Sequence, residues 1–147
     1  LRDGMAGGPV LLREGRSALD LAAEELLPGV PPATLGGDET GDQSLLPRLA
    51  AGLTADHRVV FAAVDGRDAA RALGMNLSGT GLLMQLLGCV DAVNLDGGAS
   101  KRMLLEGRTL DLPTTEILAE EAPPRESPVR HVLTGILAIP GGEGSRS

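Results

Sequence analysis

The stretch Val90-Asp91-Ala92-Val93-Asn94-Leu95-Asp96-Gly97-Gly98 decides how the rest of the chain is read. Val90 to Leu95 is a short apolar run of the kind that forms a buried strand, and Asp96-Gly97-Gly98 ends it in a turn. A similar unit lies upstream. Arg58-Val59-Val60-Phe61-Ala62-Ala63-Val64 is near-continuously apolar and reads as a strand buried on both faces; it too ends in an acid and a glycine, Asp65-Gly66, followed by Arg67. Between the two, Asn76 can cap a helix running from about Leu77 to Leu87, and Gly88 can stop it. A strand joined by a helix to a neighbouring strand often brings both strand C-termini to one edge of the sheet. Polar residues there are held rigidly while the edge stays open to a ligand.

Upstream, Pro9 to Arg16 reads as a short apolar strand entering a turn at Glu14-Gly15. Ser17 then reads as the cap of a helix, with Asp20 in its first turn, ending at Leu27 before Pro28-Gly29. The Pro/Gly/Asp-rich stretch 28–47 reads as a long flexible loop. Downstream, Arg102–Leu105 and Arg108–Leu110 flank Glu106-Gly107 and predict a hairpin. Val132–Ile139 reads as a last apolar strand, and 140–147 as a flexible Gly/Ser-rich tail. The expectation is an α+β fold: one domain over residues 1–139, with a mixed β-sheet and a few flanking helices.

Composition narrows the function. The chain has 147 residues, a net charge of -7, no Trp or Tyr, and one aromatic residue, Phe61. Acidity opposes phosphate-backbone binding and the lack of aromatics removes base-stacking platforms, so nucleic acid is not an expected partner. No apolar run approaches the ~20 residues of a membrane helix, so membrane insertion is not expected either. Cys89 is the one cysteine. It cannot form an internal disulfide or a cysteine-based zinc site, and it reads as a small buried apolar group. Leu1-Arg2-Asp3-Gly4 does not resemble a signal peptide, and the missing initiator Met suggests a fragment or a processed chain.

Asp-Gly is a common turn dipeptide, so either acid alone reads as structural. Together they read as a site, because one is followed by Arg67 and the other by a glycine-rich loop with Ser100 and Lys101. Asn94 and Asp96 are two apart and so project from one face. Asp65 and Asp96 would also suit a hard cation as oxygen donors, but no metal or cofactor is assigned. His57 and His131 read as structural.

Asn94-Leu95-Asp96-Gly97-Gly98-Ala99-Ser100 resembles the Asn-Leu-Asp-Gly-Gly-Gly-Ser signature of the phosphodiester glycosidases. Gly7-Gly8-Pro9-Val10-Leu11 resembles that family's Gly-Gly-Pro-Leu-Leu, and Pro47-Arg48-Leu49-Ala50 its Pro-Arg-Thr-Ala. Asp65-Gly66-Arg67 matches an Asp-Gly-Arg, Gly74-Met75-Asn76-Leu77 resembles a Gly-Met-Thr-Leu, and Arg130-His131-Val132 an Arg-Pro-Val. The six elements keep their order along nearly the whole chain. Three positions depart from the pattern: Leu49 for Thr, Ala99 for the third Gly, and Lys101 for Ser. The family's Asn-Gly-Gly-Phe-Phe-like N-terminal motif is not seen, which would also account for some of the aromatic scarcity.

The resemblance implies a hydrolase that cleaves the C1–O bond of a sugar 1-phosphodiester and releases sugar and a phosphomonoester. The partner would be a sugar phosphodiester or phosphorylated glycan, and the location secreted or cell envelope. A phosphomonoester is a good leaving group, so such a site needs a cationic clamp and one carboxylate more than a strong acid. Asp96 is the first carboxylate candidate and Asp65 the second. Arg48, Arg67 and Arg130 are the clamp candidates, with Asn94, Gly97, Gly98 and Ser100 as further substrate contacts. The alternative is a catalytically dead remnant that binds carbohydrate or anions.

Overall fold

Glu14 and Gly15 both adopt left-handed backbone, with φ of 50° and 74°. That is the geometry of a two-residue hairpin turn, and it folds Arg16–Ser17 (β2) back onto Val10–Arg13 (β1). The structure, a computed structural model, describes residue 4, residues 7–21, residue 42, residues 44–112, and residues 114, 132 and 135–139. Ser17 therefore pairs with Leu12 in a strand, and the helix expected to begin there does not. The Glu-Gly turn returns the chain before a cap can act; the rest of that stretch lies outside the described residues.

The sheet continues with Arg48–Thr54 (β3), Val59–Val64 (β4) and Cys89–Leu95 (β5), in the order β2-β1-β5-β3-β4. Each adjacent pair is antiparallel. β4 and β5 consequently run in the same direction on either side of β3 without touching. The helix between them, Leu77–Leu86 (α1), is capped by Asn76, whose side chain accepts from the Gly79 amide at 2.9 Å. Its other end is reached through Gly88 at φ 87°. These are the residues whose types predict those ends.

α1 covers one face of the sheet, where Leu11, Leu12, Ala50, Leu77, Met84, Cys89 and Ala92 form the core. Burial pushes the Cys89 thiol above its usual range, in keeping with an inert packing role. At Gly52 the packing excludes a side chain, since a Cβ would stand 2.7 Å from Cys89 Sγ and 2.8 Å from Met84 Cε.

β4 is not buried on both faces: Val59 is 62% and Phe61 37% exposed. Among the described residues it is an edge strand with β3 as its neighbour, and an apolar run does not reveal how many neighbours a strand has. Leu104–Leu105 (β6) and Arg108–Thr109 (β7) form the expected hairpin around Glu106-Gly107. The strand expected over 132–139 is not present among its described residues; Leu137, for example, is 81% exposed and lies outside any strand. An apolar run becomes a strand only where a neighbour takes up its backbone hydrogen bonds. Of the expected loop 28–47, the described end is anchored, with Leu46 and Met75 exchanging backbone hydrogen bonds of 3.2 and 2.9 Å. The tail 140–147 lies outside the described residues. The α+β class stands, as one small domain built on a mainly antiparallel sheet with one helix among the described residues.

Candidate active site

Because β4 and β5 run the same way, their C-termini reach one end of the sheet, where β3 and β1 begin. Arg48 pairs with Val64, and Leu49 pairs with both Ala63 and Leu95. The Gly8 amide donates to Asn94 O at 2.8 Å and the Asn94 amide to Pro9 O at 3.0 Å. Gly7–Pro9, Pro47-Arg48, Asp65–Arg67 and Asn94–Ser100 therefore meet at this end. Gly74–Asn76 joins them through Arg48, whose Nε donates to Met75 O at 3.0 Å. Arg130 lies outside the described residues.

The glycines permit close approach of backbone to backbone. A Cβ on Gly97 would stand 2.5 Å from Pro47 O, and one on Gly66 2.7 Å from Pro47 N. Gly98 takes φ 55°, and a Cβ there would lie 3.3 Å from Arg67 Nη1, so the guanidinium rests over this glycine. Ala99 has no left-handed backbone, so its replacement of a glycine causes no such strain. Gly98 to Ser100 form a single 3-10 turn, with Ser100 partly exposed.

The two carboxylates differ sharply. Asp65 Oδ1 accepts from Lys101 Nζ at 2.5 Å and from the Leu112 amide at 2.9 Å. Asp96 is exposed, and no hydrogen bond or ion pair holds it among the described residues. Extending the ladders by one residue sets Asp96 across from Arg48 and Asp65 across from Pro47, so the two acids share an end of the sheet but are one step out of phase.

The basic residues differ too. Arg48 is only 3% exposed and also donates to Ser44 O at 3.3 Å, which binds the start of β3 to the chain before it. Arg67 is buried and takes φ 57°, uncommon for a residue with a side chain. Asp68 supports this conformation, accepting from the Ala70 and Arg71 amides at 3.1 Å each.

Asn94 Nδ2 donates to Gly8 O at 3.1 Å and to Leu95 O at 3.0 Å. Two carbonyl acceptors fix which way the amide faces, because a flipped amide would set oxygen against oxygen. Asn94 Oδ1 is then a buried acceptor without a donor among the described residues. Such a group is costly to bury unless a ligand or water supplies the hydrogen bond. At the N-terminus of α1, Asp42 accepts from the Ser78 amide at 2.7 Å. Partial burial pushes the Asp42 carboxyl upward, but the hydrogen bonds from Ser78 and Leu77 and the charge of Arg48 outweigh it and hold the group below its usual range.

Sequence reasoning missed Asp111 and the role of Lys101. Asp111 accepts from the Met103 amide at 2.7 Å and from Lys101 Nζ and Arg102 Nη1, each at 3.1 Å. Lys101 carried a signal as the chain's one lysine; Asp111 carried none. No cluster of three metal-ligating side chains occurs among the described residues, and no helix there is long and apolar enough to cross a membrane.

No curated protein sequence matches significantly. Among solved structures, a hypothetical protein from Synechocystis is 28% identical with a TM-score of 0.55, covering 75% of this chain and 18% of its own. The catalytic domain of zebrafish N-acetylglucosamine-1-phosphodiester alpha-N-acetylglucosaminidase, auto-inhibited by its pro-peptide, is 22% identical with a TM-score of 0.59. It covers 82% of this chain and 38% of its own, so the present chain spans well under half of either relative. The latter likeness concerns the fold. The phosphodiester glycosidase family model matches residues 1–137, the same span over which the motif elements are strung and five of them converge at one end of the sheet. The chain belongs to the phosphodiester glycosidase family.

Proposed function

We propose that this chain carries the reacting end of a hydrolase that cleaves the C1–O bond of a sugar 1-phosphodiester, releasing sugar and a phosphomonoester. The observation that carries the reading is the contrast between the two acids. Asp96 is exposed and without a partner among the described residues, beside a glycine turn covered by the Arg67 guanidinium. A carboxylate next to a cation suits a reaction in which positive charge develops at C1 while negative charge leaves on phosphate.

In this reading Asp96 directs water or stabilises C1, and Arg67 meets the phosphate. The unpaired Asn94 Oδ1 accepts a hydrogen bond from a sugar hydroxyl. The Gly97 amide and the Ser100 hydroxyl line the approach, while the Gly98 amide is taken by Pro47 O at 2.9 Å and that glycine contributes by its turn. Arg48 contributes by fixing the start of β3, since Met75 O and Ser44 O occupy donors of its guanidinium. Arg130 enters as a further phosphate contact on the strength of its motif alone. The substrate class is a phosphorylated sugar.

The test is direct. Incubated with a sugar 1-phosphodiester, the protein is expected to release free reducing sugar and phosphomonoester in equal amounts. Binding of the diester without release of either product would favour a non-catalytic carbohydrate- or anion-binding module instead.

A further inference from the structure

Lys101 is the chain's one lysine and the largest of the fully buried side chains among the described residues. An ammonium in such a place must be paired. Its Nζ lies 2.5 Å from Asp65 Oδ1 and 3.1 Å from Asp111 Oδ2, while Arg102 Nη1 lies 3.1 Å from the same Asp111 oxygen. These two cations and two anions balance. Asp65 also begins the turn that Arg67 ends, so an unpaired Asp65 carboxylate would offset the guanidinium within a single turn.

We propose that Lys101 is a positioning residue for the anionic part of the substrate: by neutralising Asp65 from inside the fold, it keeps the Asp65–Arg67 turn from repelling a phosphate group beside Gly98. The proposal rests on the phosphodiester reading. It deepens that reading by giving Asp65 a role through Lys101 rather than at the reacting atoms. Its central feature is a charge effect whose sign can be reversed by substitution.

Inorganic phosphate is the probe, with affinity measured by titration calorimetry on the folded protein. Lys101→Met leaves the Asp65 charge uncompensated and is expected to weaken phosphate binding about tenfold, the scale of one charge acting over several ångströms in a partly screened site. Lys101→Met combined with Asp65→Asn removes both charges and is expected to return affinity to within about twofold of wild type. Asp65→Asn alone leaves the Lys101 charge in excess and is expected to tighten phosphate binding several-fold. That variant decides the matter if Lys101→Met does not fold.

In kinetics, Lys101→Met is expected to raise the diester KM with little change in kcat. Unchanged phosphate affinity in Lys101→Met, equal losses in the single and double variants, or no tightening in Asp65→Asn would each overturn the proposal. So would a wild type that binds no phosphate at millimolar concentration. If phosphate binding follows the expected pattern but no sugar is released, the hydrolase reading falls and the anion-binding role of the turn stands. If sugar is released but phosphate affinity ignores Lys101, the opposite holds.

Discussion

Asp96→Asn is expected to lower the rate of sugar release from a sugar 1-phosphodiester by about 10²–10⁴-fold, the usual contribution of a positioned carboxylate. Its unfolding midpoint should match wild type. Both expectations come from one observation: Asp96 is exposed and holds no partner among the described residues, so the fold does not depend on its charge. Its backbone, by contrast, is well anchored, because the following turn packs against Pro47 O and the Gly98 amide donates to that oxygen at 2.9 Å. The loss should therefore appear in kcat, with binding of the diester largely retained. Equal rates in the two proteins would remove Asp96 from the chemistry.

Asp111→Ala is expected to act in the opposite way, through stability. Asp111 is almost wholly buried and joins the Met103 amide, Lys101 and Arg102 at the base of the β6–β7 hairpin. Removing one partner from a buried ionic network strands the others, which costs about 3–5 kcal/mol. That is a large share of the roughly 5–15 kcal/mol that holds a domain folded. Urea unfolding should show a much lower midpoint at an unchanged slope. Asp111→Asn keeps an acceptor for the Met103 amide and should lose less. A shift below about 1 kcal/mol for Asp111→Ala would show that water screens the cluster, as it does at exposed pairs.

What was legible in the sequence was local. Asn76 and Gly88 mark the ends of α1 because a cap and a stop act within one helical turn, and Glu106-Gly107 marks a hairpin for the same reason. The meeting of Asp65–Arg67 with Asn94–Ser100 was also accessible, since two strands with a helix between them run alike even when a third strand separates them. What was hidden depends on neighbours. Val59 to Val64 has the composition of a central strand yet lies at the edge of the sheet among the described residues, and Ser17 has the chemistry of a cap yet pairs with Leu12. The bond between Lys101 and Asp65 spans 36 positions, and no spacing rule connects residues so far apart. Which segments meet at this end of the sheet was therefore readable, while the different partners of Asp65 and Asp96 were not.

In the proposed reaction the bond broken lies between the sugar carbon and oxygen. Hydrolysis of a sugar 1-phosphodiester in ¹⁸O-labelled water, with both products analysed by mass spectrometry at early times, tests it most directly. The label is expected in the anomeric hydroxyl of the released sugar and not in the phosphomonoester. Label in the phosphomonoester would mean attack at phosphorus and would contradict it.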